Sequence, residues 1–140
     1  RLPVVLPERV TQELCAWLSG TRLRTVVVIH ANHAQELDAT ARAAYARLAD
    51  SGVTLLNQSV LLRGVNDSVA ALAQLSEGLF AAGVLPYYLH LLDRVQGAAH
   101  FDVTEGVARQ LMAGLNACLP GYLVPRLVRE VPGSPGKELV

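Results

Sequence analysis

The chain has 140 residues, 51% of them apolar and 17% charged, a composition that can bury a substantial core and excludes intrinsic disorder. Its 12 basic and 12 acidic residues cancel, which removes the electrostatic basis for binding nucleic acid or an anionic membrane. No apolar run reaches the roughly 20 residues of a membrane span, the first residues lack a signal-peptide layout, and the expected address is the cytoplasm.

In chain order, a first helix is predicted from about Glu8 to Leu18. Arg24 to His30 encloses Val26-Val27-Val28-Ile29, a continuous apolar run expected of a strand buried on both faces. Leu37, Ala41, Ala44, Tyr45 and Leu48 form one stripe of a helix from about Glu36 to Asp50, closed by Ser51-Gly52. A second strand spans about Val53 to Leu62. Asn66-Asp67-Ser68 offers N-cap chemistry for a helix with Val69, Leu72, Leu75 and Leu79 inward, ended by Gly83. Pro86-Tyr87-Tyr88-Leu89 opens a third strand. Thr104 caps a helix carrying Val107, Leu111, Leu115 and Cys118, Pro120-Gly121 breaks it, and Tyr122-Leu123-Val124 begins a last strand. Cys15 and Cys118 read as reduced core residues. Two cysteines are too few for a structural zinc or iron–sulfur site, so no metal ligand is assigned.

Strand and helix alternating through short connections predict parallel βαβ units. The expected fold class is α/β, and three or four such units read as part of a (β/α) barrel of the TIM type. The whole chain, 1–140, is read as this one unit, with a lysine-bearing loop at 131–140. In such folds ligands meet the C-terminal ends of the strands. His30 and Asn32 follow the first strand; Asn57, Gln58 and Ser59 lie in or after the second; His90 and Asp93 follow the third; Glu130 and Lys137 follow the fourth. Lys137 is the only lysine in the chain, presented on the Gly/Pro-rich run Glu130 to Lys137. A Schiff-base lysine must reach a carbonyl carbon and lose its proton, which calls for a mobile, partly desolvated mounting. Taken alone, the loop is better explained as carrying an ordinary exposed lysine. His30 and His33 lie close together but lack a third metal ligand, and His33 and His100 read as hydrogen-bonding residues at helix starts.

Taken together, His30-Ala31-Asn32-His33, the run from Asn57-Gln58-Ser59 to Val65-Asn66-Asp67, Pro86 to Asp93, Gly97-Ala98-Ala99-His100-Phe101, Gly121 to Pro125 and Gly136-Lys137 occur in a telling order. This set resembles the lysine 2,3-aminomutase family of radical S-adenosylmethionine enzymes over essentially the whole chain. The run Asn57 to Asp67 is the most specific piece. Tyr87-Tyr88-Leu89-His90, Gln96 to Phe101 and Val128-Arg129-Glu130 are most similar to the branch that makes (R)-β-lysine for modifying elongation factor P. The catabolic branch would carry a tyrosine at position 90 and an aspartate at 130.

The resemblance implies an isomerase that interconverts L-lysine and β-lysine, using a 4Fe-4S cluster, S-adenosyl-L-methionine and pyridoxal 5'-phosphate. It implies that Lys137 forms the pyridoxal aldimine, that Asp93 and Glu130 bind the side-chain ammonium of substrate lysine, and that His30 and Gln58 line the S-adenosylmethionine site. Asn32, Tyr87 and His90 are implied as further cofactor-site residues. Physical chemistry agrees with the acidic pair, since an ammonium taken out of water unpaired costs several kcal/mol. The motif Cys-x-x-x-Cys-x-x-Cys is absent, so the cluster ligands, and the arginines that hold the substrate carboxylate and phosphate, are expected outside this chain. The resemblance thus implies a C-terminal piece that is inactive alone. The implied partners are the small molecule lysine and, functionally, elongation factor P; a homo-oligomer is compatible with this reading. An aminomutase for another amino acid, such as glutamate, is a second reading, and the acidic pair argues against it. A third is a non-catalytic half-barrel that binds elongation factor P or a subunit.

Overall fold

Strands β1 (Val26–Ile29), β2 (Thr54–Val60), β3 (Leu85–His90) and β4 (Arg126–Arg129) lie parallel and side by side in sequence order. A short β5 (Glu138–Leu139) runs back antiparallel along β4. This is a computed structural model, and it describes residues 2–93 and 99–140; the motif residues Gln96-Gly97-Ala98 lie outside them. The helices are α1 (Leu2–Val5), α2 (Gln12–Gly20), α3 (Ala39–Asp50), α4 (Val69–Ala81) and α5 (Glu105–Cys118).

Each crossover helix starts where a short polar side chain replaces the missing intrahelical partner of the first N–H groups. Asp38 accepts from Ala41 N at 2.8 Å, Ser68 from Ala71 N at 3.2 Å and Thr104 from Val107 N at 3.4 Å. Gly52 and Gly83, with φ of 79° and 76°, turn the chain out of α3 and α4 into β2 and β3, a conformation that costs glycine nothing.

β2 shows how the sheet is covered. Leu55, Asn57 and Ser59 are buried, while the alternating Leu56, Gln58 and Val60 are only half-buried. Period-two alternation therefore separates a face packed by helices from one left open. Ile29, Tyr45, Leu48, Leu55, Leu75 and Leu79 fill the core under β1 and β2. Leu61, Leu72, Leu89, Leu111, Leu115 and Leu127 fill a second core under β3 and β4. α4 serves both, with Leu75 and Leu79 in one and Leu72 in the other. One-sided coverage of a parallel sheet is the arrangement of a barrel segment, as the alternation of elements predicts.

Several local expectations are corrected. The first helix does not begin at Glu8: Pro7–Arg9 forms a 3-10 turn, and the helix starts afresh at Gln12, capped by Thr11. β1 is an edge strand rather than a fully buried one, so Val26 is 52% exposed and only Ile29 is sealed. α5 turns Ala108, Leu111 and Leu115 inward, leaving Val107 and Cys118 exposed. Cys118 is therefore not a core residue, whereas Cys15 packs half-buried against the first core. Tyr122 lies in a 3-10 turn, Gly121–Leu123, and the strand starts at Arg126. β5, read from the sequence as loop, is two residues long and is defined by its pairing with β4. Among the described residues no helix is long and apolar enough to cross a membrane.

Candidate functional site

The C-terminal ends of β3 and β4 build one side of the site. Glu130 directly follows β4, and the chain then reverses through a turn closed by Ser134 N donating to Val131 O at 3.0 Å. Gly133, at φ 83°, permits the reversal. β5 then pairs Glu138 with Arg129 and Leu139 with Val128, which returns Lys137 to a position beside Glu130. Lys137 Nζ donates to Glu130 Oε1 at 2.7 Å, with side chains 30% and 54% exposed respectively. That bond holds the Glu130 carboxyl below its ordinary range and lifts the Lys137 ammonium above its own. At the same C-terminal end of β4, the preceding Arg129 pairs with Glu105 at the start of α5, which also holds Arg109 at 2.8 Å.

β3 contributes an aromatic wall by way of an irregularity. Asn57 pairs with Pro86 but Gln58 pairs with Tyr88, so Tyr87 is an extra residue in β3. Such a bulge re-aims a side chain that strict alternation would send to the opposite face. The rings of Tyr87 and Tyr88 stack with centroids 3.8 Å apart, and the Tyr87 hydroxyl donates to that of Tyr88 at 3.0 Å. His90 meets Tyr88 edge-on at 5.8 Å. Its Nε2 is buried without a hydrogen-bond partner among the described residues. Burial, followed by the charge of Lys137, pushes the His90 imidazolium below its ordinary range against the opposing pull of Glu130 and Asp93. The imidazole is therefore neutral near pH 7. Asp93, just past β3, is exposed.

On the β1–β2 side, His30 lies one residue beyond the Ile29–Asn57 pair and falls level with Gln58 on the open face. The other polar residues here serve the backbone. Ala31 N donates to Asn57 Oδ1 at 2.8 Å; Asn57 Nδ2 donates to Ala31 O at 3.0 Å and to Ser59 Oγ at 2.8 Å; Ser59 donates to Ala31 O at 2.8 Å. Asn32 Oδ1 accepts from Val60 N at 2.9 Å, and Asn66 Nδ2 donates to Asn32 O at 2.8 Å and Val60 O at 2.9 Å. Glu36 accepts from the N–H groups of Asn32 and His33. His33 caps the 3-10 turn Ala34–Glu36, as a helix-start residue should.

Lys137, Glu130, Asp93, His90 and Tyr87 thus gather at one rim, with His30 and Gln58 farther along the same open face. Asn57 and Ser59 turn to the helix side and brace the turn after β1. Sequence reasoning missed Tyr88, because period two assigns adjacent tyrosines to opposite faces, and it missed the bracing role of Asn66. Among the described residues no three His, Cys, Asp or Glu side chains converge on a metal position.

No protein-family model matches the chain. It is 56% identical over 137 residues to L-lysine 2,3-aminomutase of Escherichia coli (strain K12), a match covering 98% of this chain and 40% of that protein. The L-lysine 2,3-aminomutase of Haemophilus influenzae is 53% identical, over 99% of this chain and 41% of the relative. That of Clostridium subterminale is 41% identical, over 100% and 33%. The chain therefore spans about 40% of the length of the first two relatives, and the matched stretch is their C-terminal part. A radical SAM methyltransferase from Sphaerobacter thermophilus shares the fold, with a TM-score of 0.56 and 18% identity over 84% of this chain and 37% of that one. The chain is homologous along its length to the proteins named L-lysine 2,3-aminomutase.

Proposed function

We propose that this chain is the C-terminal part of an L-lysine 2,3-aminomutase, an isomerase that moves the amino group of L-lysine from carbon 2 to carbon 3, and that Lys137 carries its pyridoxal phosphate. The observation that supports this most directly is the meeting of the only lysine with Glu130 at 2.7 Å, on the rim that also bears Asp93, His90 and the tyrosine pair. The residues present fit a pyridoxal group. An amine stands at the rim, two stacked rings lie alongside, and the buried Nε2 of a neutral imidazole awaits a polar partner.

When bound, pyridoxal phosphate supplies a conjugated ring that can spread an unpaired electron, and S-adenosylmethionine supplies the carbon radical that removes a hydrogen atom. This chain's own residues bind and orient. Glu130 and Asp93, from the ends of different strands, provide the negative charge that a desolvated side-chain ammonium requires. Their position sets how far the substrate extends from Lys137. His90 Nε2 offers a neutral nitrogen that can accept a hydrogen bond or a proton. Tyr87 and Tyr88 form an apolar wall that keeps water from the reacting end. His30 and Gln58, with Asn32 holding the turn after β1 to β2, line the S-adenosylmethionine side. The described residues do not fit an iron–sulfur cluster, whose ligands we assign to sequence outside this chain. Histidine at 90 and glutamate at 130 favour the branch whose product, β-lysine, is destined for elongation factor P.

The test is trapping. The complete protein, incubated with pyridoxal phosphate and reduced with borohydride, is expected to carry the pyridoxyl group on the Lys137 peptide. Lys137→Ala is expected to lose both the adduct and the conversion of L-lysine to β-lysine. An adduct on another lysine, or none in folded protein, rejects the assignment.

A further inference from the structure

The C-terminal end of β4 brings two cations and two carboxylates together, and they are sorted by face. Leu127 lies in the helix-side core, and strand alternation sends Arg129, two residues on, to the same side. There it meets Glu105 in the first turn of α5. Glu130, the next residue, meets Lys137 on the open face at 2.7 Å. The Glu105 carboxylate is itself fixed: Oε1 accepts from Arg109 Nε at 2.9 Å and Nη2 at 2.8 Å, which leaves Oε2 for Arg129. The charges act along the same lines. Arg109 and then Arg129 lower Glu105, whereas Lys137 and then His90 lower Glu130. An arginine is a stronger claimant on a carboxylate than a lysine, because its planar fork matches both oxygens at once. Arg129 is the last residue of β4 and Glu130 the first beyond it, so one peptide and the pleat separate them. Without a charged Glu105, the next carboxylate along the chain is Glu130. An arginine seated there would exclude the amines of the open face.

We propose that Glu105, which lies outside the site, is a positioning residue for substrate binding: it holds Arg129 on the helix side of β4 and so reserves Glu130 for an ammonium on the open face. The inference rests on the reading above, in which Glu130 binds the side-chain ammonium of lysine. Glu105 acts through Arg129 and touches no reacting atom.

Three versions of the complete protein are compared: wild type, Glu105→Gln and the double variant Glu105→Gln/Arg129→Gln. Each is loaded with pyridoxal phosphate, without S-adenosylmethionine, and titrated calorimetrically with L-lysine and with norleucine, which lacks the distal cation. Glu105→Gln is expected to bind L-lysine about two- to five-fold more weakly than wild type, the scale of an exposed charge pair, with norleucine unchanged. The double variant should recover the wild-type affinity for L-lysine, although it lacks the same tie between α5 and β4. A strand end that is merely loosened would leave both variants equally weak. In a crystal structure of Glu105→Gln, the Arg129 guanidinium should lie about 3 Å from the Glu130 carboxylate. Unchanged affinity in Glu105→Gln, no recovery in the double variant, or Arg129 still on the helix side would overturn the proposal. A wild type that binds L-lysine no better than norleucine would instead sink the aminomutase reading, and the crystal structure would still decide whether Glu105 sorts the charges.

Discussion

Asn57→Ala should be among the most damaging single changes that leave the apolar core intact. Asn57 is 1% exposed, and its amide makes the three bonds at 2.8, 3.0 and 2.8 Å that tie Ala31 and Ser59 together. Truncation strands the Ala31 N–H in a place water does not reach, a loss of about 1–3 kcal/mol for the orphaned donor alone. Ala31 O keeps its bond from Ser59 Oγ at 2.8 Å, so that acceptor adds little. With the lost bond to Ser59, the sum is about 2–4 kcal/mol, a large share of the ~5–15 kcal/mol that separates a folded domain from its unfolded chain. For a urea m-value of about 2 kcal/mol per molar, the unfolding midpoint should fall by roughly 1–2 M at unchanged m. Ser59→Ala should cost only about 1 kcal/mol, because Asn57 Nδ2 still holds Ala31 O. The double variant should lose more than the sum, since only it strips Ala31 O of both side-chain bonds and leaves that buried acceptor unpaired. Equilibrium urea unfolding followed by circular dichroism decides it. A midpoint for Asn57→Ala within error of wild type would refute the claim that this amide holds the turn between His30 and Asn32 onto β2.

Three further outcomes follow from packing and charge. Gly114→Ala puts a Cβ 2.5 Å from Val69 Cγ2, where α5 crosses α4; overpacking of about 1–3 kcal/mol outweighs the helix-propensity gain of about 1 kcal/mol, so Tm should fall and Val69→Ala should restore it. Gly106→Ala, which meets nothing within 4 Å, should instead raise Tm slightly, by about 0.5 kcal/mol of stability. Glu105 is held below its ordinary 4.5 by hydrogen bonds from Arg109 and then Arg129. A depressed carboxyl contributes stability above its unfolded value and loses it as pH falls through the folded one. Glu105→Gln should therefore lower Tm at neutral pH, and the gap to wild type should close as pH drops below 4.5; a gap independent of pH would reject the pairing of Arg129 with Glu105.

What the sequence determined by itself is the alternation. The valine run of β1, the stripe Ala41-Ala44-Tyr45-Leu48, the caps Ser68 and Thr104 and the glycines after α3 and α4 are local signals. Each acts within a few residues, so the order of elements and a parallel α/β sheet can be read without coordinates. The motif order also announced the aminomutase resemblance that the relatives confirm. What only the tertiary structure decided depends on partners distant in the chain. β1 is an edge because no described strand lies beyond it, which no property of Val26 encodes. Tyr87 joins Tyr88 on one face because β2 sets a register that β3 meets with a bulge. Asn57 and Ser59 turn out to brace backbone because the Ala31 turn, 26 residues away from Asn57 in the chain, packs against them. Lys137 reaches Glu130 because a two-residue strand, too short to carry any periodicity, completes its hydrogen bonds on β4. Pairing across the sheet is a long-range contact, and its energy is written in two segments at once rather than in either one.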